Sequence, residues 1–292
     1  MNTPSIPEKN QHVQRIDLRA VLSDKLGRRA RFVPDALVRA VERLICVDEL
    51  NSILAENAGK TGVDFCRDAM RHLDVTVEAA GMERLPDDGR LIFACNHPLG
   101  GVDGIALIMM LCRKYGREVY VVVNDILMAV EPLREVFVPV NKHGRQSHED
   151  VAELDRVLAS GAPVLFFPAG LVSRLGKNGE IADLEWRSTF INKAIKYGRP
   201  VVPLYFEGTN SRSFYKWARR RVRMGLKFNY EMVLLPRELV KMRHTTVRII
   251  CGEPVSVEDL KNMPTRAAAV QRIRTNTYSL TEEKGLLQWK TI

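Results

Sequence analysis

The sequence predicts an α/β fold, a mixed and largely parallel central sheet flanked by helices, with an N-terminal helical layer. Three observations predict it. From residue 74 onward, short apolar or period-two runs alternate with longer runs of helical spacing, the pattern of strands returning through crossover helices. Ahead of that point, residues 16 to 73 show helical periodicity and no strand signal. Helical runs stop at glycines such as Gly116 and Gly198, where a helix can close in the left-handed conformation.

Taken in order, residues 1 to 15 are polar with two early prolines and read as disordered. Helices are predicted over Asp17 to Leu26, Pro34 to Val47, Asp48 to Glu56 and Gly62 to His72. In the second, Leu37, Val38, Val41, Leu44 and Ile45 keep helical spacing and Pro34 suits a first turn. No long linker follows, so this layer (16 to 73) is expected to pack on an α/β region spanning 74 to 255. DVTVEAA at 74 to 80 switches to period two and reads as a strand, followed by a turn in GMERLPDDGR. Leu91 to Cys95 has the length of a buried strand, and Gly104 to Tyr115 reads as a buried helix.

The alternation then continues. Glu118 to Val123 is a strand, Asn124 to Met128 a short helix or turn, and Phe137 to Val140 a strand interrupted by Pro139 before the polar loop NKHGRQS. Ser147 to Ser160 fits a helix capped by Ser147. Val164 to Phe167 is a strand that ends in the long loop PAGLVSRLGKNGE. Arg187 to Tyr197 is a helix, Val201 to Phe206 a strand and Ser213 to Arg223 a helix. Lys227 to Leu234 alternates like a strand, Arg237 to Met242 is a short helix, and Thr246 to Cys251 is the last clear strand. A polar helical tail occupies 256 to 292.

Composition bounds the function. With 292 residues, 46% of them apolar and 27% charged, the chain has the make-up of an ordinary soluble globular protein. Its five cysteines are odd in number and scattered, without C-x-x-C spacing, which points to a reduced cytosolic compartment. The start lacks the apolar core of a signal peptide, and no stretch reaches the ~18 apolar residues of a spanning helix, so the protein is not expected to cross a membrane. A net charge of +9 favours an anionic partner: nucleic acid, a phospholipid surface, or an acidic carrier with its phosphorylated cofactor. G-x-S-x-G, G-x-x-x-x-G-K-[ST] and G-x-G-x-x-G are all missing, so hydrolase, kinase and Rossmann oxidoreductase readings lack their signatures. His143 and His148 do not have the i, i+4 spacing of a helical zinc pair, and no metal site is expected.

The run Cys95 to Gly104, CNHPLGGVDG, joins the buried strand to the buried helix. Within it, His97 can take a proton from a hydroxyl, while a carboxylate on its other nitrogen, Asp103, would fix the tautomer and steady the imidazolium. Gly100 and Gly101 allow the sharp turn that folds Asp103 back, and Asn96 completes the cluster. Two plainer readings stand beside this one. Asp103 stands where a helix N-cap belongs, and a lone histidine can be structural. In the loop after Phe167, Arg174 and Lys177 are either anion ligands or solvated charges.

The stretch Asn210 to Phe228 carries seven Lys or Arg and no acid, interleaved with Phe214, Tyr215 and Trp217. It reads as a solvated basic helix, as a docking element for an anionic bilayer using Phe214, Tyr215, Trp217, Arg219, Arg220 and Arg221, or as a site for single-stranded nucleic acid. The bilayer reading is preferred.

NHPLGGVD resembles the first signature block of the glycerolipid and lysophospholipid acyltransferase superfamily, the 1-acylglycerol-3-phosphate acyltransferase-like proteins. There a histidine and an aspartate four or five residues apart form the catalytic pair. The interval here is five, the less common His-x5-Asp form. FVPVNK (Phe137 to Lys142), LFFPAGLVSR (Leu165 to Arg174) and VVPL (Val201 to Leu204) resemble the second, third and fourth blocks in the same order. Two departures are visible. The third block usually reads FPEG, but this chain has Phe167, Pro168, Ala169 and Gly170, with Arg174 matching the acceptor-binding arginine only after a shift. Lys142 stands near where the second block usually has arginine. Glu207, in EGTNSR, imitates the third block but comes after the fourth; it is still expected to line the site.

The whole chain looks like a bacterial subgroup of general acyltransferases, some connected with O-acylation of amino-acid-containing lipids. The resemblance implies acyl transfer from acyl-CoA or acyl-carrier protein to the hydroxyl of a lyso-type lipid. His97 and Asp103 would be catalytic, and Asn96, Gly100, Gly101, Lys142, Phe167, Pro168, Ala169, Gly170, Arg174 and Glu207 would bind substrate. It implies no cofactor beyond the acyl co-substrate, and a peripheral place on the inner face of the cell membrane. A lysophosphatidate or lysophospholipid acyltransferase of phospholipid synthesis is the alternative. A non-catalytic lipid- or nucleic-acid-binding protein is the alternative from another class.

Overall fold

The computed structural model describes residues 14–140, 148–176, 178–226 and 229–292. Four helices open the chain: α1 (Leu18–Leu26), α2 (Asp35–Leu44), α3 (Val47–Glu56) and α4 (Gly62–His72). Then come β1 (Thr76–Ala80), β2 (Ile92–Cys95), α5 (Gly101–Tyr115), β3 (Tyr120–Asn124), β4 (Phe137–Val140), α6 (His148–Ala159) and β5 (Val164–Phe166). A small antiparallel pair, β6 (Arg174–Leu175) and β7 (Ile181–Ala182), precedes α7 (Thr189–Tyr197), β8 (Val201–Glu207) and α8 (Arg212–Arg223). The chain closes with α9 (Leu235–Val240), β9 (Thr246–Cys251), α10 (Val257–Lys261), α11 (Arg266–Ser279) and β10 (Lys290–Thr291).

Among the described residues the main sheet has the order β10-β1-β9-β8-β2-β5-β3-β4. The block from β8 to β4 is parallel throughout, whereas β9 runs antiparallel to β8 and β10 antiparallel to β1. The fold is the predicted α/β class with a mixed, largely parallel sheet. Alternation along β2 explains why this strand is apolar at every position. Phe93 and Cys95 face a core with α4 and α5, while Ile92 and Ala94 face a second core with α6, α7 and α11. A strand covered on both faces has no polar side to display.

Arg199, fully buried after α7, donates to Leu158 O, Ala162 O and Leu91 O at 2.9, 2.6 and 3.3 Å. It thus satisfies carbonyls that the end of α6 leaves without an intrahelical partner, and shares Leu91 O with Val164 N. Burial brings its pKa down to about 10, still far above neutrality.

Several boundaries differ from expectation. α5 begins at Gly101, three residues before the predicted Gly104, because the glycine turn itself enters the helix. Over the predicted strand Lys227 to Leu234, the described part Tyr230–Leu234 is a 3₁₀ turn. Its buried residues, Glu231 and Leu234, are three apart, and so short a run does not separate period two from period three. The pairs β6–β7 and β10–β1 are two residues long, too short for a periodic signal. The expected disorder of residues 1 to 15 falls almost wholly, and the NKHGRQS loop after Asn141 and the Ser147 cap fall entirely, outside the described residues.

Candidate active site

β2 lies between β5 and β8 with parallel neighbours on both sides, so its carboxyl end opens where ligands gather in α/β sheets. Asn96 extends the β2–β8 ladder past its last residue: its Nδ2 donates to Phe206 O at 2.9 Å and its Oδ1 accepts from Phe206 N at 2.6 Å. It is buried and holds the backbone next to His97 rather than facing a substrate.

His97 follows. Its Nδ1 stands 3.0 Å from Asp103 Oδ2, and the same oxygen accepts from Leu99 N at 3.0 Å. Asp103 is therefore not the N-cap; Gly100 takes that position and Asp103 sits in the first turn of α5, reaching back as the acid of a capping box does. The turn favours Gly100, whose φ of 99° other residues rarely adopt and where a Cβ would crowd the side chains of Leu235 and Val172 at 3.3 Å. Asp103 is completely buried, and its Oδ1 has no hydrogen-bond partner among the described residues. A carboxylate so placed interacts strongly with positive charge developing on the adjoining ring.

With the Nδ1 proton directed at Asp103, Nε2 keeps its lone pair. The ring is fixed from one face by Phe167, stacked at 4.1 Å between centroids. Phe167, Pro168, Ala169 and Gly170 form a tight turn closed by Gly170 N to Phe167 O at 2.8 Å, with Gly170 at φ 63°. The third-block residues are thus brought to the histidine. The backbone amides of Gly100 and Gly101 open α5 and have no intrahelical acceptor.

Sequence reasoning missed the support around this loop. Asp183, 6% exposed, accepts from His97 N at 3.1 Å, Ser173 Oγ at 2.6 Å and Trp186 Nε1 at 2.9 Å. Burial pushes its carboxyl upward, and these donors pull the other way. Ser173 N also donates to His97 O at 2.7 Å, and Asn210 Nδ2 to Pro98 O at 2.9 Å. The only sequence signal for Asp183 is an acid set among apolar neighbours in IADLEW.

Arg174 does not offer an open anion site. Its Nη2 donates to Glu231 Oε1 at 2.9 Å, its Nη1 to Val172 O at 2.8 Å, and the guanidinium lies 5.4 Å from the Phe214 ring. Glu231 is fully buried, and Arg221 Nε stands 3.0 Å from its Oε2, off the hydrogen-bonding direction. Burial lowers the Arg174 pKa against the pull of Glu231.

Glu207 ends β8 at the site's edge of the sheet, in register with Arg248 of β9. Lys142 lies outside the described residues, as do His143 and Lys177. Of the expected docking residues, Phe214 and Tyr215 are 0% and 3% exposed and belong to the core under α8, and Arg221 is turned to Glu231. Trp217, Arg219 and Arg220 are exposed. Apolar spacing in a basic helix marks its inward face, so the aromatics could not all point outward.

Among the described residues, no group of three or more His, Cys, Asp and Glu side chains is placed to hold a metal ion, and no helix is long and apolar enough to cross a membrane.

A family model described as Acyltransferase matches residues 20–285. The lyso-glycine lipid O-acyltransferase of Phocaeicola vulgatus is 39% identical over 265 residues, 91% of this chain and 95% of that protein. The lyso-glycine lipid O-acyltransferase of Bacteroides thetaiotaomicron is 38% identical over 265 residues, covering 91% and 97%. Among solved structures, the 1-acyl-sn-glycerophosphate acyltransferase PlsC of Thermotoga maritima aligns with 76% of this chain and 78% of its own at a TM-score of 0.47 and 19% identity.

Proposed function

The chain belongs to the acyltransferase family, and from that premise we propose that it moves a fatty acyl group from a thioester donor, acyl-CoA or acyl-carrier protein, to the hydroxyl of a lyso-type lipid bearing an amino acid. The observation that carries the reading is the 3.0 Å contact between His97 Nδ1 and Asp103 Oδ2 at the carboxyl end of β2. His97 Nε2 takes the proton from the acceptor hydroxyl as its oxygen attacks the thioester carbonyl. Asp103 stabilises the imidazolium. The tetrahedral intermediate collapses with cleavage of the C–S bond, and the imidazolium proton passes to the departing thiolate, so that ester and free thiol leave and the histidine is neutral again. The amides of Gly100 and Gly101 are the donors nearest in the chain to steady the oxyanion.

The names of two relatives support a lyso-glycine lipid as the acceptor. Glycine has no hydroxyl, so O-acylation falls on a hydroxyl of its lipid portion. The buried Arg174–Glu231 pair supports this acceptor over a phosphate-bearing one, because the arginine expected to receive a phosphate already holds a carboxylate. The lysophosphatidate alternative would need another cation. The reaction needs no cofactor beyond the acyl co-substrate, and its place is peripheral, on the inner face of the cell membrane where a lyso-lipid resides.

Thiol release from acyl-CoA or acyl-carrier protein in the presence of lyso-glycine lipid tests the reading. His97→Ala should lower turnover by about 10²–10⁴ while far-UV circular dichroism stays unchanged. Full activity in that variant, or lipid binding by the wild type without any thiol release, would falsify it in favour of a non-catalytic lipid-binding protein.

A further inference from the structure

Some exposed cations on this protein stand beside acids, as Arg67 with Asp64, Arg71 with Asp68, Arg156 with Glu153, Lys196 with Asp155, and Arg248 with Glu78, while others, such as Arg39 and Arg272, stand singly among the described residues. The outer face of α8 gathers five of them on one helix. Phe214, Tyr215 and Ala218 bury one side of the helix, and Arg212, Lys216, Arg219, Arg220 and Arg223 fall along the other at helical spacing, all exposed. Among the described residues no carboxylate lies within ion-pairing distance of any of the five; Arg219 donates to Gly176 O at 2.9 Å. The helix itself contains no acid.

Helix stability does not account for this face. Cations in the last turn, such as Arg220 and Arg223, complement the helix dipole, but Arg212 and Lys216 stand in the first half, where positive charge opposes it. In the last turn and just after it, apolar side chains are exposed. Val222, Met224 and Leu226 are 66%, 53% and 44% exposed, and Trp217 is held edge-on by Tyr230 with 46% of its surface open.

We propose that the outer face of α8 and the turn after it form the surface by which this protein docks on an anionic lipid bilayer. The cations lie along the phosphate headgroups, and Val222, Met224 and Leu226 enter the boundary beneath them, with Trp217 at headgroup level. Single-stranded nucleic acid fits less well, because it needs a stacking platform and two of the three aromatics, Phe214 and Tyr215, are buried. The inference rests on the lipid-acceptor reading for its purpose. α8 is tied to the His97 loop at its very start: Asn210 donates to Pro98 O, and Ser211 N and Oγ donate to Glu238 of α9 at 2.6 and 2.8 Å. Leu235 and Leu239 of α9 in turn pack on Gly100 and Gly101. Docking through α8 therefore holds at the bilayer a helix whose first residues are tied to the His97 loop.

Co-sedimentation of the full chain with phosphatidylcholine vesicles, with and without phosphatidylglycerol, tests the proposal. The wild type should pellet with the anionic vesicles and be released by salt. Arg220→Glu/Arg223→Glu should bind at least about tenfold more weakly, and Val222→Ser/Met224→Ser should bind more weakly while keeping its salt dependence. Both variants should acylate a detergent-dispersed acceptor at the wild-type rate and lose activity only on vesicle-borne acceptor. Failure of the wild type to pellet with anionic vesicles, or wild-type pelleting by both variants, overturns the proposal, as does binding of a single-stranded oligonucleotide in place of vesicles. If pelleting behaves as described but no acceptor is acylated in either form, the docking surface stands and the acyltransfer reading falls.

Discussion

Asp103 serves two partners with one oxygen. Oδ2 accepts from Leu99 N, which shapes the turn, and faces His97 Nδ1, which orients the ring. Asparagine can present an oxygen in the same place but brings no charge, so Asp103→Asn separates the roles: the fold and melting temperature should stay near wild type while turnover falls by about 10² or more. Undiminished turnover would return Asp103 to a purely structural part. Asp183 acts one step away, through the backbone of His97. In Asp183→Asn the amide would face one of the three donors now satisfied, Trp186 Nε1 among them. A fall in kcat of about tenfold with little change in KM is expected, since a shifted loop misplaces the base without altering contacts remote from it. An equal rise in KM would show that the loop binds acceptor instead. The pair within NHPLGGVD was legible because its members lie six positions apart and share one turn. Asp183 and Asn210 were not, because they reach this loop across 86 and 112 residues and nothing local marks the distance.

Among the elements, helices with wide apolar stripes were readable and their ends nearly so: Gly116 and Gly198 close α5 and α7 at φ 60° and 62°. The segment 230–234 resisted reading because what fixes it is buried charge, Glu231 with Arg174 and Arg221, whereas the short helix after it was read to within two residues. Hydrophobic period carries no record of such pairs. A similar charged clasp joins α3 to α4. His72 Nδ1 lies 2.7 Å from Glu56 Oε2 and Nε2 lies 2.8 Å from Glu49 Oε1, with Arg243 also on Glu49 and Ser52 on Glu56. Burial lowers the imidazole pKa, but the two carboxylates outweigh it and the net shift is upward. A raised folded-state pKa gives stability that is fully present below the ordinary histidine value of about 6.5 and is lost as pH rises through the folded value. The melting temperature of His72→Gln should therefore lie furthest below wild type at about pH 6 and approach it by about pH 9. A gap that is constant across this range would mean that packing, not charge, joins the two helices.

At the scale of the whole molecule, the sheet is where sequence and structure part most. The parallel block follows from strands separated by helices, but the β10-β1-β9 edge does not, since β1 pairs with a strand 170 positions later in register (Thr76 with Thr246) and its direction is set by that pairing. The tail, expected only as a polar helical appendage, reaches the residues around the His97 loop. α11 packs on β8 and α7, and the Tyr278 hydroxyl accepts from Asp183 N at 2.9 Å, one residue's reach from the carboxylate that holds His97 N. Tyr278→Phe keeps the ring against Tyr205 and removes that acceptor alone. Leaving a buried N–H unpaired costs about 1–3 kcal/mol, so the melting temperature should fall by several degrees. If the tail also positions the histidine, kcat should drop several-fold at unchanged KM, and adding Tyr278→Phe to Asp183→Asn should cost less than the two losses multiplied, because both changes act through one loop. Fully multiplicative losses would place the tail's contribution in stability and leave the His97 loop to Asp183, Ser173 and Asn210.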